Sequence, residues 1–401
     1  MGKGLLIVTL GFSTIFSGYV FHFNIQQNNA QNIILSDLER QIAKNTSETA
    51  ANVAVSRILQ GITVPDTGTF GDATYITSIT DVTGDSANSA EMDSIVIISE
   101  YNGLPDTSWV LVMRPAFSYY QYFSYNSWPA HVQYISGDVI DGPIHSNVKI
   151  TGISADPTFI SKVSSGSSDA TGLTGATYHA GLELGTELIP FSPTNRDSIE
   201  AFAVGTYSLS TADTLFLLFL SDGTFDHQEG YLGALANDDL SVTNGVIVNA
   251  FGTSHVVIRG GSVLNGKVTV IGDNVHVKGN VQYQGGLGGD DYLGIVARDN
   301  FYLWYSGGNT SIDLNAAIMV TGMFNVRNNS GAVNLTFTLN GSLAVNDDKA
   351  ELGQVLDDAP TLFTRVHNYD ERLRRNTSPY FPRVNSGTPS IPRREIFARK
   401  N

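Results

Sequence analysis

The feature that most constrains this chain is a repeat in GVIVNAFGTSHVVIRGGSVLNGKVTVIGDNVHVKGNVQYQ, which begins at Gly245. Val246 and Val248 recur as Val268 and Val270, Val256 and Ile258 as Val275 and Val277, and Val263 as Val281, at offsets of 22, 19 and 18 residues. Three short strands per repeat, with alternate apolar residues inward and Gly or Asn taking the corners at positive φ, are what one coil of a parallel β-helix needs. A β-sandwich also uses short alternating strands; the unequal offsets favour a solenoid with turns of unequal length. ISGDVIDGPIHSNVKITG from Ile135, LGIVARDNFYL, IDLNAAIMVTGMFNV and LTFTLNGSLAV have the same character. The expectation is a mainly β protein whose body, residues 131–345, is a right-handed parallel β-helix with a less regular insertion at about 164–239. Inside that insertion FLLFLSDGTF reads as a hairpin with its apolar half toward the core.

Composition agrees. Forty glycines and a charged fraction of 15% suit short strands and tight turns rather than long helices. The net charge of −15 argues against nucleic-acid binding, which needs clustered Lys and Arg. Residues 361–401 carry nine Lys and Arg against three Asp and Glu, so a basic tail of +6 follows a body of −21. With no cysteine there is no disulfide, thiolate metal site or thiol nucleophile.

The N-terminus is built differently. Residues 5–23 read LLIVTLGFSTIFSGYVFHF, nineteen residues without Asp, Glu, Lys or Arg, about the length a helix needs to cross a bilayer. The anchoring side chains are Leu5, Leu6, Ile7, Val8, Leu10, Phe12, Ile15, Phe16, Val20 and Phe21. Lys3 precedes the run and no basic residue follows before Arg40, so the expectation is a span of the inner (cytoplasmic) membrane with the N-terminus on the cytoplasmic side and the body extracytoplasmic. A cleaved secretory signal is the competing reading, but Val20, Phe21, His22 and Phe23 are too bulky for its cleavage site. Helical periodicity continues as an amphipathic stalk through Ile34, Leu38, Ile42, Ala50, Ala54 and Ile58, to a stop near Gly61 and Pro65. Residues 62–130 then read as a small β meander, TYITSITDV, DSIVIIS and SWVLVM, followed by the aromatic run Tyr119, Tyr120, Tyr122, Phe123, Tyr125 and Trp128. That run packs over a sheet edge or offers a glycan-stacking surface. Residues 346–401 form the basic tail, with Pro379, Tyr380, Phe381 and Pro382 expected to clamp it across the last coil.

A hydrophobic helix that turns amphipathic after a short basic start resembles the type IV pilin and pseudopilin family. The resemblance implies a leader cut between Gly4 and Leu5 and a helix that packs into a filament. The family's usual Phe and Glu at the first and fifth mature positions are Leu5 and Thr9 here. The succession GDVIDGPIHSN, GISADPTF, LGIVARDNFYL, NGSLAV and YDERLRRNTSPYFP also resembles a bacterial envelope domain that follows such helices and to which no activity is attached.

Chemistry is sparse. Asp138, Asp141 and His145 are the best catalytic candidates, since β-helix lyases and glycosidases use carboxylates on one face. Pro143 between them forces extended or turn geometry, and a structural role at a corner is the expectation. His255 and His276 fall near equivalent coil positions, as a metal pair or as a side-chain ladder. Asp290 and Asp291 lack the spaced ligands of a calcium loop. These readings converge on a non-enzymatic, cofactor-free envelope protein, a structural or adhesive component of a surface filament or secretion apparatus. Its expected partners are the bilayer, pilus or secretion-system subunits and surface glycans; the alternative is a surface enzyme that degrades polysaccharide.

Overall fold

A computed structural model describes residues 2–82, 91–126, 131–134, 137–152, 156–191, 206–208, 214–230, 236–241, 245–248, 254–330, 332, 334–348, 355–356, 362–384 and 395–400. They are mainly β, with one long N-terminal helix, and fall into two compact units. One is drawn from residues 1–81, 93–112 and 396–401, the other from 82–92 and 113–395.

In the first unit helix α1 runs Gly2–Leu59. Strands β1 (Thr67–Phe70), β2 (Ala73–Asp81), β3 (Glu91–Tyr101) and β4 (Leu104–Arg114) follow one another across a sheet whose fifth strand is Glu395–Lys400. Burial on the helix begins at Ala43 and recurs at Ser47, Ala50, Ala51, Ala54, Val55 and Ile58, a stripe at helical spacing that packs on Tyr75, Ile95, Ile97, Val110 and Val112. Its small side chains let helix and sheet approach closely enough for hydrogen bonds. Ser47 donates to Asp106 Oδ2 at 2.6 Å, and Ser99 donates to the Ala43 carbonyl at 2.6 Å. Of the apolar stripe expected along the stalk, Ala50, Ala54 and Ile58 are buried, whereas Ile34 and Leu38 remain exposed.

The second unit is a parallel β-solenoid with three walls. One wall, the spine, is continuous through ten strands among the described residues. In spatial order they are 206–208, 245–248, 267–271, 292–297, 317–320, 342–345, 122–124, 144–146, 163–165 and 182–184. Stack order is therefore not chain order. The chain enters at the middle, climbs to one end by residue 184, resumes at the other end at 206 and returns, so that Leu343 pairs with Tyr122. Gln121 seals this junction: its carbonyl accepts from Leu343 N at 2.9 Å, its side chain accepts from Gly142 N at 2.6 Å, and its amide donates to the His367 carbonyl at 2.8 Å. A β-carbon at Gly142 would collide with the Tyr369 ring, so glycine permits the close approach here.

The interior is filled by Val, Ile, Leu and Phe, with Val270, Ile295, Ile318 and Leu343 in line along the spine. The spine is apolar on its outer side too, where Val246, Val296, Ala317, Met319, Ala344 and Phe123 lie under residues 116–120, 189–191 and 369–384. Two-sided burial explains its unbroken apolar runs, and it hides the register. Val246 pairs with Thr269, an offset of 23 rather than the 22 read from valine recurrence; off the spine, Ser262 pairs with Val281, an offset of 19 rather than 18.

The boundaries read from sequence shift accordingly. Strands 163–165, 170–171, 177–178 and 182–184 are coil strands, and 206–208 and 214–219 begin the second run, so 164–239 supplies coils at both ends of the stack. Strands of two or three residues carry too few apolar positions to show a period. Residues 214–219 and 224–229 do form the expected hairpin, turning at Asp222 and Gly223 with Leu215, Leu217, Phe219 and Phe225 in the core. Being antiparallel, 224–229 ends the parallel stack on that side. Nor is the basic tail one element. Residues 362–369 are a coil strand beside 334–341, 370–384 cross the spine's outer side and 395–400 join the first unit's sheet.

Candidate functional site

Two features could carry function: the exposed half of α1 and the outer side of the solenoid wall after the spine. On α1 the apolar side chains Leu6, Ile7, Val8, Leu10, Phe12, Ile15, Phe16, Val20 and Phe21 are 40–74% exposed. The helix is long and apolar enough to cross a membrane. Gly4 and Leu5, the expected cleavage pair, stand near its start.

The catalytic candidates separate. His145 is fully buried on the spine's outer side: Nδ1 meets Ser164 Oγ at 2.8 Å, Nε2 meets Asn147 Oδ1 at 2.9 Å, and the ring stacks on Phe123. Asp141 is exposed at the preceding corner, and its carbonyl accepts from Ser161. Asp138 is partly exposed, its carbonyl accepting from Thr158 N. Asp291 holds a corner by accepting from Gly266 N and Gly285 N at 2.7 and 2.9 Å, and Asp290 pairs with Lys267. Of the aromatic run, Tyr120, Tyr122 and Phe123 are buried, Tyr125 is 41% exposed and Trp128 lies outside the described residues. Tyr380 and Phe381 pack on the spine rather than across a last coil, with Phe381 against Gly294.

The second wall is different. Strands 214–219, 255–259, 274–278, 300–306 and 323–329 stack in register with Val256, Val275, Phe301 and Phe324 inward. Alternation then points His276, Tyr302 and Asn325 outward in one column and Arg259, Lys278, Trp304 and Arg327 in the next. His276 stacks on Tyr302 at 4.7 Å and 11°, and Arg327 lies over the same ring at 4.7 Å. Lys278 Nζ sits 3.9 Å above the Trp304 ring, and Arg327 lies 5.7 Å from that ring.

His255 and His276, noticed in the sequence, do meet, Nδ1 to Nε2 at 3.1 Å. They do so diagonally, since His255 pairs with Asn274 and His276 with Val257. His276 is 6% exposed; burial, then the charges of His255, Arg327 and Lys278, push its pKa down to about 3. Burial also lowers that of Lys278, helped by Arg259. Among the described residues no group of three or more His, Cys, Asp or Glu is placed to hold a metal ion. Lys278, Trp304 and Arg327 escaped the sequence reading. Their signal was positional: each is the third outward residue of its strand in successive coils, which cannot be seen until coils are aligned.

No protein-family model matches this chain, and no curated protein sequence does. Among solved structures, the crystal structure of competence-associated pilin ComZ from Thermus thermophilus matches over 90% of this chain and 97% of its own, with 10% identity and a TM-score of 0.34. A likeness at that level assigns no function.

Proposed function

We propose that this protein is a membrane-tethered, pilin-like component of the cell envelope, which displays its solenoid outside the cytoplasm as a structural or adhesive part of a filament or secretion apparatus. The observation that carries this reading is the division of α1. Apolar side chains from Leu6 to Leu38 are exposed, while the stripe from Ala43 to Ile58 is buried on a sheet. An exposed apolar helical surface of that length needs lipid or neighbouring helices around it. Cleavage between Gly4 and Leu5 would free the helix for assembly.

The mass of the mature N-terminus in native membranes tests the proposal. Loss of residues 1–4 supports assembly after processing, and an intact start leaves a single-pass anchor. A start near Asn24 would overturn tethering. Deleting residues 5–23 is expected to release the body from membranes, and unchanged retention would contradict the reading. The non-enzymatic part is supported by the full burial of His145 while Asp141, the carboxylate expected to work with it, is exposed at the corner. Cleavage of acidic glycans by the protein, abolished in Asp141→Ala, would overturn it.

A further inference from the structure

The second wall of the solenoid holds cations without their counterions. None of Arg259, Lys278 and Arg327 has a carboxylate partner among the described residues, in a chain whose net charge is −15. They are held instead over aromatic rings, Arg259 over Phe216 at 5.0 Å and the other two over Trp304 and Tyr302. Beside them, Nδ1 of His276, Nε1 of Trp304 and Nε of Arg327 are shielded from solvent and have no hydrogen-bond partner among the described residues. Those nitrogens lie beneath the wall's surface, and what the wall presents to solvent is the partly exposed Lys278 and Arg327 side chains.

We propose that this wall binds the carboxylate-bearing units of an acidic polysaccharide. A carboxylate is a planar acceptor that suits the guanidinium fork of Arg327 and the ammonium of Lys278. Burial first, and the neighbouring positive charges second, keep the His276 ring neutral. The adjoining outward column holds amides: Asn300 donates to Asn274 Oδ1 at 3.1 Å, and Asn325, in the His276 column, is buried beside them. Amides suit sugar hydroxyls. Nucleic acid fits less well. The Tyr302 ring already stacks on His276 and carries Arg327, and Trp304 carries Lys278, so these rings are engaged by neighbours rather than left for bases to stack on. Strands stack at about 4.8 Å, so an extended chain of sugars lying along the axis meets these columns coil after coil.

The test is binding of oligogalacturonate to the detergent-solubilised full-length protein, beside a neutral maltooligosaccharide and an oligothymidylate of matched charge. Oligogalacturonate is expected to bind and the neutral sugar not. Arg327→Ala and Lys278→Gln should each weaken binding about tenfold. Lys278 is partly exposed, so its variant keeps the test intact if Arg327→Ala fails to fold. No binding, binding indifferent to both variants, or equal binding of the neutral sugar would overturn the proposal. Oligothymidylate binding as tightly with the same dependence would make this a phosphate site and overturn the assignment to sugar acids.

Discussion

The outer sides of two neighbouring walls of the solenoid share one construction and end differently. On most of the spine the outward residues are small or apolar, His145 being a polar exception, and the chain closes over them with residues 116–120, 189–191 and 369–384. On the next wall they are His276, Tyr302, Trp304, Lys278 and Arg327, which stack on one another along the axis; Tyr302, Trp304, Lys278 and Arg327 keep partial exposure. Because parallel coils satisfy their own backbone, outward side chains are free to decide what covers a wall. Apolar ones recruit the chain itself, and stacked rings with cations leave the wall partly exposed.

The comparison breaks most visibly at Phe123. Its fully buried ring lies 4.9 Å from Phe117 and 5.3 Å from Phe191, so Phe123→Ala should lower stability in a denaturant titration by about 3–5 kcal/mol. A loss below about 1 kcal/mol would mean the covering segments do not stabilise the spine. The open wall should answer to acid instead. His276 has a folded pKa of about 3, below its unfolded value near 6.5, so its neutral form stabilises the fold fully above about pH 6.5. That contribution should fall away as pH drops from about 6.5 to 3, by an amount on the order of a few kcal/mol. His276→Gln should remove that part of the slope, and an unchanged slope would mean that the His276 ring is not held neutral. The smallest effect is expected at Asp169, 56% exposed and paired with Lys149 at 2.6 Å on the same wall further along the stack. Asp169→Asn should change stability by no more than about 0.5 kcal/mol.

What the sequence disclosed follows the same division. On the second wall one side alternates cleanly, and Val256 with Val275 and Ile258 with Val277 were paired correctly from recurrence alone. On the spine both sides are apolar, and the same reasoning slipped by one residue at Val246. Nothing local announces that Tyr122 follows Leu343 in the stack, because that pairing joins positions more than two hundred residues apart. The long apolar helix was legible because length and absence of charge are local properties. The cationic columns were not, since their members meet only after the coils are set in register.

The two ends of the solenoid unit lie side by side. Phe117 N donates to the Pro382 carbonyl and Val384 N to the Pro115 carbonyl, each at 2.9 Å, and Ala116 bridges Arg383 antiparallel. A body whose incoming and outgoing chains are already paired is a cassette. Coils can be gained, lost or exchanged inside that closed pair of strands, as a picture is changed within its frame, at little extra loop-closure entropy.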